Sequence, residues 1–258
     1  MALRKTQAVV IGRMALGESD RLVTFYTREF GKVRGVAKAA RRQRSRFGSA
    51  LELFTQGQLL FFETERSDLA KVDAFDIIHP FQAVGEDLER LTLGSWVVEC
   101  LGRLSADRDP SPTLYGLLLR TLKAFEGSGR PARTAFCFAI RAVDLLGHRL
   151  RLDRCLECGK PSPFPRGAAR LDFTAGGVVC EPCAPYGSDG VDLSGAAVAA
   201  LRRLRTLSWD EALRAALPPP LEAEMAGAME EQMTRLIGQV PRSARFRAQI
   251  RAPIGALR

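Results

Sequence analysis

The sequence is short of the parts that covalent chemistry needs. His79 and His148 are its only histidines, and there is no serine or cysteine elbow for either imidazole to activate. Lying beside Pro80 and just past Gly147, both read as helix-boundary residues. No GxxxxGK[ST] loop is present, which excludes a Walker-type nucleotide site. The acidic pairs Asp73 with Asp76 and Asp107 with Asp109 have the chemistry to hold magnesium in a nuclease, but carboxylates this close are commoner as turn and capping residues. Long apolar runs are missing as well: none approaches the roughly 18 residues that span a bilayer. The start Met1-Ala2-Leu3-Arg4-Lys5 lacks the apolar core of a signal peptide, so the expectation is a cytoplasmic address and no membrane. A reducing cytosol disfavours a disulfide framework for the six cysteines, and clustered pairs point instead to metal or redox chemistry.

What the chain has in excess is positive charge. A net charge of +9 and an isoelectric point near 9.7 favour a polyanionic partner. Most of the excess is local: from Arg28 to Arg46 eight basic residues stand against Glu29 alone. Uncompensated clustering of this size repels itself, and a partner relieves it. Arg41, Arg42, Arg44 and Arg46 are expected to point at solvent from a flexible loop or a short helix, spaced for successive phosphates. Phe25, Tyr26, Phe47 and Phe54 are candidates to stack bases, although aromatic residues in such places are more often core. A second stretch, Arg242, Arg245, Arg247, Arg251 and Arg258, is either a frayed tail or an auxiliary phosphate contact.

With 258 residues, 46% of them hydrophobic, the chain is long enough for two or three globular domains. Between residues 6 and 78, five short runs read as strands, around Val9, Val23, Val33, Leu60 and Phe75. Five strands in so short a span predict a small barrel, because closure removes exposed edges. An OB-fold is the economical choice and an SH3-like barrel fits the count nearly as well. After Pro80 the apolar period changes to a helical one, with Val84, Leu88, Leu91, Val98 and Leu101 on one face. Ser111-Pro112 and Gly127 bound one further helix, and Pro131 and Gly147 another. Ser194 caps a third, and Pro218-Pro219-Pro220 opens a final one carrying Met225, Met229 and Met233.

The segment 150–190 has no such period and too little apolar content for a core of its own. Cys155-x-x-Cys158-Gly159 and Cys180-x-x-Cys183 supply an alternative. Two residues between ligands let each knuckle present both thiolates to one ion, and two knuckles complete a tetrahedron at about 2.3 Å per bond. The pairs are separated by residues 159–179, marginally beyond the usual spacing of such ribbons. Four thiolates leave no position for water, so the expected Zn2+ is structural. Cys100 and Cys137, inside apolar helical runs, read as buried small hydrophobes.

The order of these parts resembles the RecO family of bacterial DNA repair and recombination proteins. The resemblance rests on Ala8-Val9-Val10-Ile11 followed by Gly17-Glu18-Ser19-Asp20-Arg21-Leu22-Val23, on Phe30-Gly31-Lys32-Val33-Arg34-Gly35-Val36-Ala37-Lys38 with its arginine run, and on the cysteine pairs, and it covers essentially the whole chain. It implies an α+β multidomain fold: residues 1–80 as an N-terminal five-stranded OB-fold β-barrel that binds nucleic acid, 81–149 and 191–258 as two parts of an α-helical domain, the second with a basic tail, and 150–190 as an inserted four-cysteine zinc module. It further implies a nucleoid-associated protein that is not an enzyme. Such a protein binds single- and double-stranded DNA, anneals complementary strands and helps load RecA with RecR, with the acidic tail of single-strand-binding protein as another partner. Carried onto this sequence, the DNA surface is Lys32, Arg34, Lys38, Arg41, Arg42, Arg44 and Arg46. The alternative, a zinc-ribbon adaptor acting mainly through protein contacts, predicts weak, salt-labile binding and no annealing.

Overall fold

Period-two burial builds the first five strands in the computed structural model, which describes residues 2–64, 67–127, 129–162, 168–184 and 189–251. β1 (Ala2–Leu16), β2 (Asp20–Thr27), β3 (Gly31–Ala37), β4 (Gln56–Thr64) and β5 (Ser67–His79) close into a barrel in the order β1-β2-β3-β5-β4. β1 pairs with β4 through its first half and with β2 through its second, with a bulge between Val10 and Gly12. A bulge bends a strand and increases its twist, which lets one strand serve two sides of a barrel. β3 and β5 close the circle in parallel. This Greek-key order is that of an OB-fold and sets aside the SH3-like alternative. Val10, Val23, Phe25, Val33, Leu59, Phe61 and Val72 fill the interior, each worth about 1.5–3 kcal/mol when fully buried.

Helices α1 (Gln82–Glu86), α2 (Leu88–Leu104), α3 (Pro112–Gly127) and α8 (Arg242–Arg251) belong to the same compact unit, Met1–Ser128 with Pro241–Arg258. The single helical face expected from Val84 to Leu101 is broken. Asp87 caps α2 by accepting the Arg90 N–H at 2.8 Å, and Leu88, now in the first turn, is 52% exposed. Ser111 caps α3 at 3.2 Å. The segment between α2 and α3 crosses the start of β3, where Gly31 has φ +61 and a Cβ would lie 2.2 Å from the Asp109 carbonyl oxygen. The basic stretch after residue 241 is a helix and not a frayed tail. Glu99 of α2 accepts the N–H groups of Arg242 and Ser243 at 2.9 and 3.0 Å and the Ser243 hydroxyl at 2.8 Å, a carboxylate at a helix N-terminus. Burial pushes the Glu99 carboxyl up, but these donors outweigh it and hold it below the usual range. The docking is therefore present above the ordinary glutamate pKa and weakens as pH falls through the lowered one. Arg258, the last residue of the expected basic tail, lies outside the described residues.

The second unit, Gly129–Val240, contains α4 (Pro131–Leu145), β6 (Ala168–Asp172), β7 (Gly177–Cys180), β8 (Gly190–Ser194), α5 (Gly195–Thr206), α6 (Trp209–Arg214) and α7 (Pro219–Ile237). Contacts thus group residues 81–127 and 241–251 with the barrel, whereas the expected division places them with the helical domain. α7 is not the final helix, since α8 follows. The strands β6, β7 and β8 form a sheet in the order β7-β6-β8 that composition did not announce, and β8 runs directly into α5 under the Ser194 cap. α4 and α7 pack together, burying Phe138 and Met229 among others. Between them Arg133, with no exposed surface, pairs with both Glu222 oxygens and donates to the Ala215 carbonyl at 2.8 Å. Among the described residues no helix is long and apolar enough to cross a membrane.

Candidate nucleic-acid surface and metal centre

The link between β3 and β4, residues 38–55, is neither a loose loop nor a helix. It is a chain of single turns, closed by Arg42 N–H to Ala39 at 3.2 Å, Ser45 to Arg42 at 3.0 Å, Gly48 to Ser45 at 3.2 Å and Ala50 to Phe47 at 2.8 Å. Ala40, Phe47, Ala50 and Leu51 turn into the barrel core. With the apolar positions committed inward, Arg41, Arg42, Arg44 and Arg46 are all exposed.

Asp20 fixes the entry to this segment. One carboxylate oxygen accepts the Ala39 N–H at 2.8 Å and the other meets the Lys38 ammonium at 2.8 Å, with Ala39 held at φ +56. The Lys38 bond, followed by the Ala39 N–H, keeps the Asp20 carboxyl below the usual carboxylate range. Arg41 adds its own N–H to the Ser19 carbonyl at 2.9 Å and a guanidinium bond to the Gly17 carbonyl at 2.8 Å. The two sequence phrases around residues 17–23 and 30–38 are therefore one structural unit, a β1–β2 turn clamped onto an arginine-bearing segment.

The individual basic residues differ in how free they are. Arg34, Arg42 and Arg44 have no side-chain partner among the described residues. Arg46 lies over the Phe47 ring at 5.0 Å and reaches the Val72 carbonyl at 3.4 Å. Lys32 departs from expectation. It shares the outer face of β3 with Arg34, but its ammonium donates to the Gly102 and Ser105 carbonyls at 2.7 and 2.6 Å and lies 3.3 Å from Asp107. Carbonyls freed at the end of α2 attract a cation, so Lys32 anchors a helix and does not face solvent. Phe25, Tyr26, Phe47 and Phe54 are all buried and offer no ring face to a ligand. His79 ends β5 two residues before Phe81, the cap of α1, with its ring 4.3 Å from that of Phe81 and 2.9 Å from Glu126.

The four spaced cysteines meet. Cys155 opens a tight turn in which the Gly159 N–H reaches the Cys155 carbonyl at 3.1 Å and the Cys155 N–H reaches Lys160 at 2.9 Å; Gly159 takes φ +70 there. Cys180 ends β7 and Cys183 sits in the 3₁₀ turn Glu181–Cys183. All four sulfurs lie within 4.8 Å of one another, and Cys158 Sγ is 3.7 Å from Cys180 Sγ. A tetrahedron with metal–sulfur bonds of about 2.3 Å has edges of about 3.8 Å, so the spacing suits one ion.

The electrostatics agree. Burial pushes the Cys155 thiol up, but the N–H groups of Cys158, Cys180 and Glu157 outweigh it and hold the thiol at about 6. Burial and the neighbouring sulfurs push Cys180 up to about 12, a crowding of negative charge that a central cation would relieve. With all four positions taken by sulfur, no water could be activated there, so the centre suits a structural metal. Cys100 and Cys137 are fully buried, and burial raises Cys137 to about 11. Among the described residues this is the one metal-ligating cluster; Asp73 and Asp107 lie instead 4.0 Å from Arg46 and 3.3 Å from Lys32.

Two family models and several known proteins match this chain. Residues 1–81 match the family model described as Recombination protein O N terminal, and residues 85–245 match Recombination protein O C terminal. The DNA repair protein RecO of Myxococcus xanthus is 33% identical over 243 residues, covering 94% of this chain and 96% of that one. Its counterpart in Anaeromyxobacter sp. strain K is 34% identical over 253 residues, covering 98% of each. That of Frankia casuarinae is 37% identical over 216 residues, covering 83% of this chain and 86% of its own.

Proposed function

The chain belongs to the RecO family of DNA repair proteins, and from that premise we propose that it works by binding and pairing DNA without catalysing covalent chemistry. It binds single- and double-stranded DNA, anneals complementary strands, and helps RecA load with RecR onto DNA coated by single-strand-binding protein, whose acidic tail is a further partner. It acts in the cytoplasm on the nucleoid. The observation that carries this reading is the backbone-fixed segment 38–55, which exposes Arg41, Arg42, Arg44 and Arg46 with little compensating acid. Arg34 and Lys38 extend the same contact surface; Lys32 does not belong to it. Annealing needs only that two mutually repelling backbones be neutralised, and fixed cations on a rigid barrel serve that purpose.

Cys155, Cys158, Cys180 and Cys183 would hold one zinc ion, which on binding cross-links the two knuckles. Four thiolates around a divalent cation leave two negative charges, which disfavours a phosphate in direct contact. The centre is therefore a scaffold for residues 150–190 in this reading.

The direct test mixes the protein with labelled complementary strands, with and without magnesium. Magnesium-independent duplex formation and intact strands are expected; magnesium-dependent cleavage, or binding without annealing, would overturn the assignment. A finer expectation concerns Asp20. Asp20→Ala deletes a negative charge beside the arginines, which on charge alone would tighten DNA binding. Because the clamp on Ala39 and Lys38 is lost, DNA affinity at fixed salt should instead fall about fivefold, the equivalent of ~1 kcal/mol. Asp20→Asn, which can still accept the Ala39 N–H, should recover part of it. Anisotropy titrations would read the sign of the change.

A further inference from the structure

The outside of the barrel carries an apolar row where alternation calls for polar side chains. Leu3 on β1 pairs with Phe62 on β4, Phe62 with Lys71 on β5, Lys71 with Val36 on β3, and Val36 with Leu22 on β2. Directly opposed residues share a face of the sheet, so these five stand side by side across all five strands. Their neighbours in each strand, Phe61, Val72, Ala37 and Val23, are the buried interior, which places the row on the outer surface. Leu3 is 53% exposed, Lys71 is exposed, and Phe62, Val36 and Leu22 are half-buried. At about 4.8 Å per strand, Phe62 to Leu22 spans roughly 14 Å.

The row also carries cations. Lys71 Nζ lies 5.9 Å from the centre of the Phe62 ring. Arg34, exposed and without a side-chain partner among the described residues, is two residues before Val36 and so on the same face of β3. Lys38, where the arginine segment begins, is two residues after it and is held 2.8 Å from Asp20. The one acid on this face of β5 near the row, Asp73, is half-buried beside Arg46. A half-exposed aromatic ring among aliphatic side chains, bordered by positive charge, matches the two chemistries of an unpaired nucleic-acid strand, π-faces that stack and phosphates that seek cations. A duplex keeps its base faces stacked inside and has no use for such a row.

Resting on the reading that the barrel binds DNA, we propose that Phe62, with Lys71 and the flanking Val36 and Leu22, is a stacking platform for unpaired bases. It gives this protein its means of distinguishing single strands from duplex. The arginines of residues 41–46 neutralise either form; the Phe62 row engages only bases that are free.

The experiment uses the full-length protein, an oligo(dT) and a duplex of equal length. Phe62→Leu keeps the volume apolar but removes the ring, and should weaken oligo(dT) binding about tenfold, within the range of one base–aromatic stack, with duplex affinity unchanged. Phe62→Trp should keep the affinity, and its added emission should be quenched by oligo(dT). An unchanged ratio of single-strand to duplex affinity in Phe62→Leu, or an indole at position 62 indifferent to oligo(dT), overturns the proposal and leaves the row as a contact for another protein. Wild-type protein that binds neither DNA would overturn the underlying DNA-binding reading instead.

Discussion

Exchange of Cys180 for serine should release the metal and unfold the sheet that surrounds it, lowering the melting temperature of the Gly129–Val240 unit by 10 °C or more. Among the described residues of 150–190 the buried apolar side chains are small in number and mostly short, Leu171 and Val178 among them, and a core of that size does not by itself repay the entropy of ordering the chain. A structural zinc supplies apparent binding energies of about 10–16 kcal/mol in small finger peptides. For a unit of this size, losing as little as ~3 kcal/mol shifts the midpoint by roughly 12 °C or more. The damage should spread by a defined route. Cys180 is paired with Ala169 of β6, and Ala169 with Leu193 of β8, which leads directly into α5. Calorimetry and metal analysis of wild type, Cys180→Ser and chelator-treated protein would follow it. Wild type should hold one zinc per chain and both perturbed forms none, with an early transition. The barrel should keep its own transition and its affinity for DNA. Loss of DNA binding in step with metal loss would move the knuckles from scaffold to contact surface.

Reversing Arg41, Arg42 and Arg44 to glutamate should have the larger effect on DNA itself. Each phosphate contact contributes about 0.9 to the slope of log affinity against log salt on duplex DNA. Losing three should flatten that slope by about 2.7 and lower affinity by a factor on the order of a hundred or more at moderate salt. The fold should be indifferent, because these side chains are exposed and, among the described residues, their one side-chain bond to the rest of the barrel is that of Arg41 to the Gly17 carbonyl. Annealing should fall with affinity. Substitution by lysine at the same positions should retain most of both, since phosphate neutralisation asks chiefly for charge. A salt slope that does not change in the glutamate variant would remove this segment from the DNA surface.

These two sites were legible in the sequence to different degrees. The cysteine spacing picked out the four sulfurs that the structure brings together, because a C-x-x-C turn places two sulfurs by local geometry alone and a second pair needs only to be brought near. The sheet holding them was not legible: β6, β7 and β8 are four or five residues each, too short to display a period. The arginine cluster was visible as charge, but its mounting was not. Nothing local says that Asp20, nineteen residues earlier, would grip Ala39, or that Ala40 and Leu51 would face inward and set the arginines outward. Lys32 shows the same limit from the other side, for its sequence neighbours make it another surface cation while the end of α2 makes it an anchor.

The sequence by itself determined what is set by composition and near neighbours: the paired-cysteine knuckles, the five strands, the capped helices at Ser111 and Ser194, and the local excess of positive charge. Tertiary structure decided what depends on partners distant in the chain. It chose the OB order through the parallel pairing of β3 with β5 and committed Phe25, Tyr26, Phe47 and Phe54 to the core. It also aligned Phe62, Lys71, Val36 and Leu22 into one outer row. Burial and cross-strand register are properties of the closed barrel, and a hydrophobic residue in a strand carries no local mark of which side of the wall it will occupy.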